Sequence, residues 1–255
     1  MSQDPQRDDS ERPLYAVIGA TGGIGSALCH RLAENGAKLL LGGRDLDKLE
    51  TLADEVAGVP VEVDARDFGQ VDDFLAEAKD LQWTLRGVVN LAGSLYLKPA
   101  HATRQSDLDD VLATNLVTAF ATVRAAARTM RQGGSVVLMS SAAAGIGLPN
   151  HEAIGAAKAG VAGLARSAAA TYASRGLRVN AVAPGLVDTP MTEGITSNDI
   201  ALQASLSLHP LGRSGQPDEV ASLIAWLLGP ESSWVSGQTW SIDGGLSGLK
   251  GKGRA

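Results

Sequence analysis

Short apolar runs alternate with longer amphipathic ones along most of the chain. The runs at 14–19, 38–42, 59–63, 86–90, 135–140, 178–183 and 239–242 are rich in Val, Ile and Leu. Several lack the in-and-out alternation of a half-exposed strand, as expected of parallel strands covered on both faces. Between them, segments 23–35, 45–57, 68–80, 105–131, 151–175 and 217–228 read as helices. Strands alternating with helices imply βαβ units. The pattern therefore predicts an α/β fold, a doubly wound parallel sheet of about seven strands with helices on both faces. No composition break or internal repeat divides it, which predicts a single domain over 14–247.

The stretch 186–215 breaks this rhythm. It holds Pro190, Gly194, Pro210, Gly212 and Gly215 around a weakly helical piece at 198–208. A long insertion at that point predicts a substrate loop or lid. Residues 1–13 carry six charged side chains and almost no apolar ones. They predict a disordered tail, as does the Gly/Lys/Arg-rich end at 248–255.

Composition narrows the chemistry. Hydrophobic residues make up 44% of the 255 and charged residues 20%, enough apolar surface for a sizeable core. A net charge of −6 leaves no basic footprint for nucleic acid or an anionic membrane. No apolar run reaches the roughly 18 residues of a membrane span. The single cysteine, Cys29, excludes an internal disulfide framework, fits a reducing cytoplasm and predicts a buried helical thiol. His30, His101, His151 and His209 are scattered without ligand spacing, so no metal site is expected.

The first strand runs straight into Gly19-Ala20-Thr21-Gly22-Gly23-Ile24-Gly25 and then a helix. Glycines let a backbone approach a pyrophosphate, and the free N–H groups of a helix N-terminus favour negative charge. The turn predicts a dinucleotide site. Its G-x-x-x-G-x-G spacing resembles that of the short-chain dehydrogenase/reductase family, and the resemblance continues over roughly 14–246. Asn90-Leu91-Ala92-Gly93 is similar to the family's Asn-Asn-Ala-Gly, with Leu91 replacing the second asparagine. Asn115, in Thr114-Asn115-Leu116, resembles its helix asparagine. The segment from Asn180 through Pro184, Gly185 and Val187 to Thr189 resembles the one that holds the nicotinamide carboxamide, and Asp243-Gly244-Gly245 the C-terminal signature.

This resemblance implies a single-domain Rossmann fold, a nicotinamide cofactor, a small-molecule substrate and a homo-oligomer, tetramer or dimer. It implies cofactor contacts from Gly19, Thr21, Gly23, Ile24, Gly25, Asn90, Ala92, Gly93, Lys158, Pro184, Gly185, Val187 and Thr189. The second strand ends in Leu41-Gly42-Gly43-Arg44-Asp45. The glycines leave room for a 2′-phosphate and Arg44 is placed to pair with it, which favours NADP. Asp45 is the competing signal for NAD, though it also reads as an N-cap. Asp64 resembles the residue that touches the adenine.

In the resembled family a serine orients the substrate carbonyl, a tyrosine passes the proton, and a lysine holds the ribose and lowers the tyrosine pKa. Ser141 stands 13 residues before the tyrosine position and Lys158 four after it. The position itself holds Ile154, which can neither donate nor accept a proton. On a continuous helix, residues 151, 154 and 158 share one face, so His151 is a candidate hydrogen-bond donor or proton relay. Enoyl-acyl carrier protein reductases, a branch of the same family, similarly place their tyrosine seven residues before the lysine. Tyr96, and water held by Asn115 and Lys158, are alternatives. The expected activity is NADP(H)-dependent hydride transfer to or from a small carbonyl, alcohol, enone or imine. The other reading is a non-catalytic NADP(H)-binding sensor or partner subunit, against which the retained Ser141 argues.

Overall fold

The computed structural model describes residues 12–249. The tails expected at 1–13 and 248–255 lie outside the described residues except at 12–13 and 248–249. Arg12 and Pro13 are already tied to the core, Arg12 Nε donating to Gly36 O at 2.7 Å and Pro13 O accepting from Lys38 N at 2.9 Å.

Seven strands run parallel: β1 (Leu14–Ile18), β2 (Lys38–Gly43), β3 (Val59–Glu62), β4 (Leu85–Asn90), β5 (Gly134–Met139), β6 (Leu177–Pro184) and β7 (Thr239–Ile242). Their spatial order is β3-β2-β1-β4-β5-β6-β7. The chain winds outward from β1 in one direction and from β4 in the other. A crevice opens beyond the C-terminal ends of these two strands, where ligands of such sheets sit. Strand alternation sends Leu14, Ala16 and Ile18 to one face, against α3 (Phe68–Asp80), α5 (Thr118–Thr129) and α6 (Glu152–Tyr172). Tyr15 and Val17 face the other way, against α1 (Gly23–Glu34), α2 (Leu46–Val56) and α9 (Pro217–Leu228). Both layers are buried, which explains the unbroken apolar runs in the strands.

Two expectations are corrected. The helix expected at 105–131 is divided: α4 (Gln105–Leu112) passes into a π-helical turn, Ala113–Val117, before α5. Such a turn widens the helix by one residue and turns Asn115 out of the regular ladder. The helix expected from 151 begins at Glu152, with His151 as a non-helical cap residue (φ −104°, ψ 12°). The insertion at 186–215 carries α7 (Glu193–Thr196) and, at the helical piece expected at 198–208, α8 (Asp199–Leu206). Its two ends are clasped together by a bridge between Val187 and Gly215 and by Leu186 N donating to His209 Nε2 at 3.1 Å.

Candidate active site

The glycine turn closes tightly on itself and on the backbone after β4 because Gly19 and Gly25 carry no side chains. A Cβ on Gly25 would collide with the Gly19 carbonyl, and Gly19 itself adopts φ +80°, a left-handed conformation. The N-terminus of α1 has Gly22 as its cap residue, with no side-chain hydrogen bond to the first-turn N–H groups. Those donors border a cavity of about 410 Å³ lined by Gly19, Thr21, Gly23, Ile24 and Gly25 on one side. Pro184, Gly185, Val187 and Thr189 close it from β6 and the loop beyond. An uncapped helix end aimed into a cleft is a donor set suited to a pyrophosphate.

A second cavity, about 210 Å³, adjoins the first through shared residues Gly19, Thr21, Gly22, Leu91 and Gly93. Gly43, Arg44, Asp64, Ala65, Arg66 and Ala92 line it. Arg44 is exposed and makes no hydrogen bond or ion pair among the described residues. Asp45, the competing signal, caps α2: it accepts from Lys48 N at 3.2 Å and pairs with Lys48 Nζ at 2.8 Å. These bonds hold its carboxyl below the usual carboxylate range. Asp64 is gripped by Arg66, with Nη2 at 2.7 Å and Nε at 3.1 Å, a pairing that no sequence motif announced. Gly42 does not make room for a phosphate as expected. Its missing Cβ leaves space for the Phe74 ring and Val63, while Gly43 takes the cavity wall.

Of the other expected cofactor residues, Asn90 works from beneath. It is buried, donates from Nδ2 to Thr122 Oγ1 at 2.9 Å, and accepts from Ala92 N at 2.8 Å. It shapes the turn that carries Ala92 and Gly93 and lines neither cavity.

Ser141, Asn115 and Lys158 meet in the larger cavity, together with Ile154. Ser141 follows β5 and opens a tight helical turn; its Oγ accepts from Ala143 N at 3.2 Å, leaving the hydroxyl hydrogen free to donate. Asn115 projects from the π-helical turn. Its Nδ2 donates to Val111 O at 3.0 Å and to Ser94 Oγ at 3.1 Å, and its Oδ1 accepts from Ser94 N at 3.1 Å. This clamp fixes the β4 loop over the cavity. Lys158 is buried, and its Nζ donates to Met139 O at 2.9 Å. Removal from water pushes its pKa down to about 8.

The candidate proton donors are elsewhere. His151 does not line the cavity; its Nδ1 lies 2.8 Å from Pro149 O. The expectation of a shared helix face fails because the helix starts one residue later, and a cap residue does not follow helical phase. Tyr96 packs its ring against the apolar cluster around Ile154, but its hydroxyl donates to Asp107 Oδ2 at 3.0 Å. Leu95 and Met139, which no motif singled out, and Met191 of the expected substrate loop complete an apolar wall with Leu91, Ile154 and Val187.

A family model described as Enoyl-(Acyl carrier protein) reductase matches residues 19–247. The chain belongs to the short-chain dehydrogenase/reductase family. Membership places it among NAD(P)-dependent oxidoreductases. It is 35% identical over 243 residues to the 3-oxoacyl-(acyl-carrier-protein) reductase FabG of Thermotoga maritima, covering 92% of this chain and 98% of that one. A short-chain type dehydrogenase/reductase from Mycobacterium ulcerans superimposes with a TM-score of 0.90 at 28% identity, over 95% of this chain and 92% of that one. A variant of actinorhodin polyketide ketoreductase solved with NADPH gives 0.88 at 26% identity, over 96% and 100%.

Proposed function

We propose that this protein is an NADP(H)-dependent oxidoreductase that moves hydride to or from a small organic carbonyl, alcohol, enone or imine without a tyrosine acid. One observation carries the reading: Ser141, Asn115 and Lys158 line the same cavity as the glycine turn. A protein that only bound the cofactor would have no use for Ser141 there. The unpaired Arg44, with Asp45 committed to capping α2, supports NADP over NAD, and the relative solved with NADPH supports it as well.

The glycine turn and α1 would hold the pyrophosphate, Arg44 the 2′-phosphate, Lys158 the ribose, and Val187 with Thr189 the carboxamide. When bound, the reduced nicotinamide supplies a hydride. Ser141 donates its free hydroxyl hydrogen to the acceptor oxygen or nitrogen and so orients it. The Ser94–Asn115 clamp keeps the loop that faces the substrate in place. The apolar wall of Leu91, Leu95, Ile154 and Met191 excludes water and suits the hydrocarbon part of the substrate.

The family resemblance and the helix surface support a homo-oligomer. A groove of about 510 Å³ between α5 and α6 is lined by Phe120, Val123, Leu164 and Tyr172, with Phe120 51% exposed. No helix of the described residues is long and apolar enough to cross a membrane, and a single buried thiol suits the cytoplasm.

NADPH oxidation against a panel of ketones, enones and imines tests the activity, with wild type and Ile154→Tyr run side by side. Wild-type turnover with at least one class is expected. A silent wild type beside an active Ile154→Tyr would make the protein a cofactor-binding sensor or subunit instead.

A further inference from the structure

The large cavity is unusual in what its walls lack. Among the side chains lining it there is no carboxylate, histidine, cysteine or tyrosine, and Lys158 alone can exchange a proton in the neutral range. His151 is turned to Pro149 O and Tyr96 to Asp107. Lys158 Nζ, by contrast, makes one hydrogen bond, to Met139 O at 2.9 Å, which accounts for one of its three hydrogens. Ile154, one turn before it on α6, offers no polar atom to take the others. A Cβ on Gly93 would lie 3.3 Å from Nζ and 3.0 Å from Asn115 Oδ1, so lysine and asparagine converge over the bare backbone of Gly93. One of the two remaining hydrogens would go to the ribose assigned to Lys158 above, which leaves one for whatever else occupies the cavity.

We infer that Lys158 is itself the acid of this enzyme, delivering its own proton to the reduced substrate in place of the missing tyrosine. The inference rests on the NADP(H)-dependent reading given above. In the direction of reduction, hydride from the nicotinamide forms the new C–H bond and the C=O or C=N π pair moves to the heteroatom. That pair takes a proton from Nζ, the N–H bond breaks, and a neutral amine remains. The cofactor leaves oxidised, and the amine is reprotonated by water. In an enone the same ammonium protonates the enolate that forms when hydride adds at the β-carbon. Burial suits the ammonium to this role, because a pKa of about 8 lies close to working pH, where a general acid is most effective. Reduction should therefore be flat below pH 8 and fall tenfold per unit above it, as the ammonium is lost. Oxidation should show the mirror image, rising through the same region.

The test combines a readout on the free protein with one on turnover. Carbon-13 NMR of lysine-labelled protein, with Lys158→Arg used for assignment, follows the Nζ titration without cofactor. Fluorescence titration gives NADPH affinity. NADPH oxidation is then followed with ethyl acetoacetate, cyclohexenone and a cyclic imine. Nζ titration near pH 8 is expected. Lys158→Arg keeps the charge but cannot release a proton. Because Lys158 would also hold the ribose, NADPH should weaken by about tenfold at most, while turnover at saturating NADPH falls by roughly 10²–10⁴. Adding Ile154→Tyr to Lys158→Arg should restore turnover. An Nζ that titrates at an ordinary lysine value overturns the inference, as does Lys158→Arg turning over like wild type. A wild type that binds NADPH but needs Ile154→Tyr for any turnover overturns it too. Failure of wild type to bind NADPH would instead remove the functional reading beneath it.

Discussion

Removal of the Arg44 guanidinium should separate the two nicotinamide cofactors. Arg44 is exposed on the wall of the smaller cavity, and no group among the described residues competes for it through a hydrogen bond or ion pair. Asp64, whose carboxyl feels the Arg44 charge, is already held by Arg66 at 2.7 Å. A hydrogen bond to a charged group contributes about 1.5–3 kcal/mol, and solvent exposure places Arg44 at the low end. Arg44→Ala should then weaken NADPH by roughly tenfold and leave NADH within about twofold. Arg66 shares the cavity, so a residual preference for NADPH should survive. Fluorescence titration with both cofactors measures the ratio, and Asp45→Ala is the control. Because Asp45 caps α2, that change should lower the melting temperature without altering cofactor preference. Equal weakening of NADPH and NADH by Arg44→Ala would refute the reasoning, as would a loss of NADH affinity in Asp45→Ala.

Two further outcomes follow from the same geometry. His151→Phe should leave turnover within about threefold of wild type, since the imidazole is tied to Pro149 O outside the cavity; a loss of the size expected for a general acid, about 10²–10⁴, would return His151 to the mechanism. Phe120→Glu, on the exposed groove of α5 and α6, should reduce the particle mass seen by light scattering with little change in monomer stability; an unchanged mass would exclude this face as the contact.

The seven strands and most of the helices between them, the glycine turn, and Ser141, Asn115 and Lys158 as candidates for one site were legible in the linear chain. These are local properties. Apolar period distinguishes strand from helix within a few residues, and the spacing from Ser141 to Lys158 is carried by one strand end, one loop and one helix. The absence of an acid at Ile154 was equally plain, because it is a matter of residue identity alone. Which side chains reach the cavity beside Ile154 was not legible there. The helix face that suggested His151 depended on where α6 begins, and the cap geometry at 151 shifted it out of phase.

Which groups are free to act is settled only by folding. Lys158 is held by a carbonyl 19 residues away, and Asn115 by a loop 21 residues away through a π-helical turn that no periodicity announces. Gly42 and Gly43 are neighbours of the same type, yet one faces the Phe74 ring and the other the cofactor cavity. Arg44 and Asp45 carried opposing signals until α2 claimed the aspartate as its cap. In each case the side chain's chemistry was written in the chain, but its availability depended on partners outside its own stretch of sequence or on the helix that formed beside it. Burial and hydrogen bonding, which set that availability, exist only once the chain has folded.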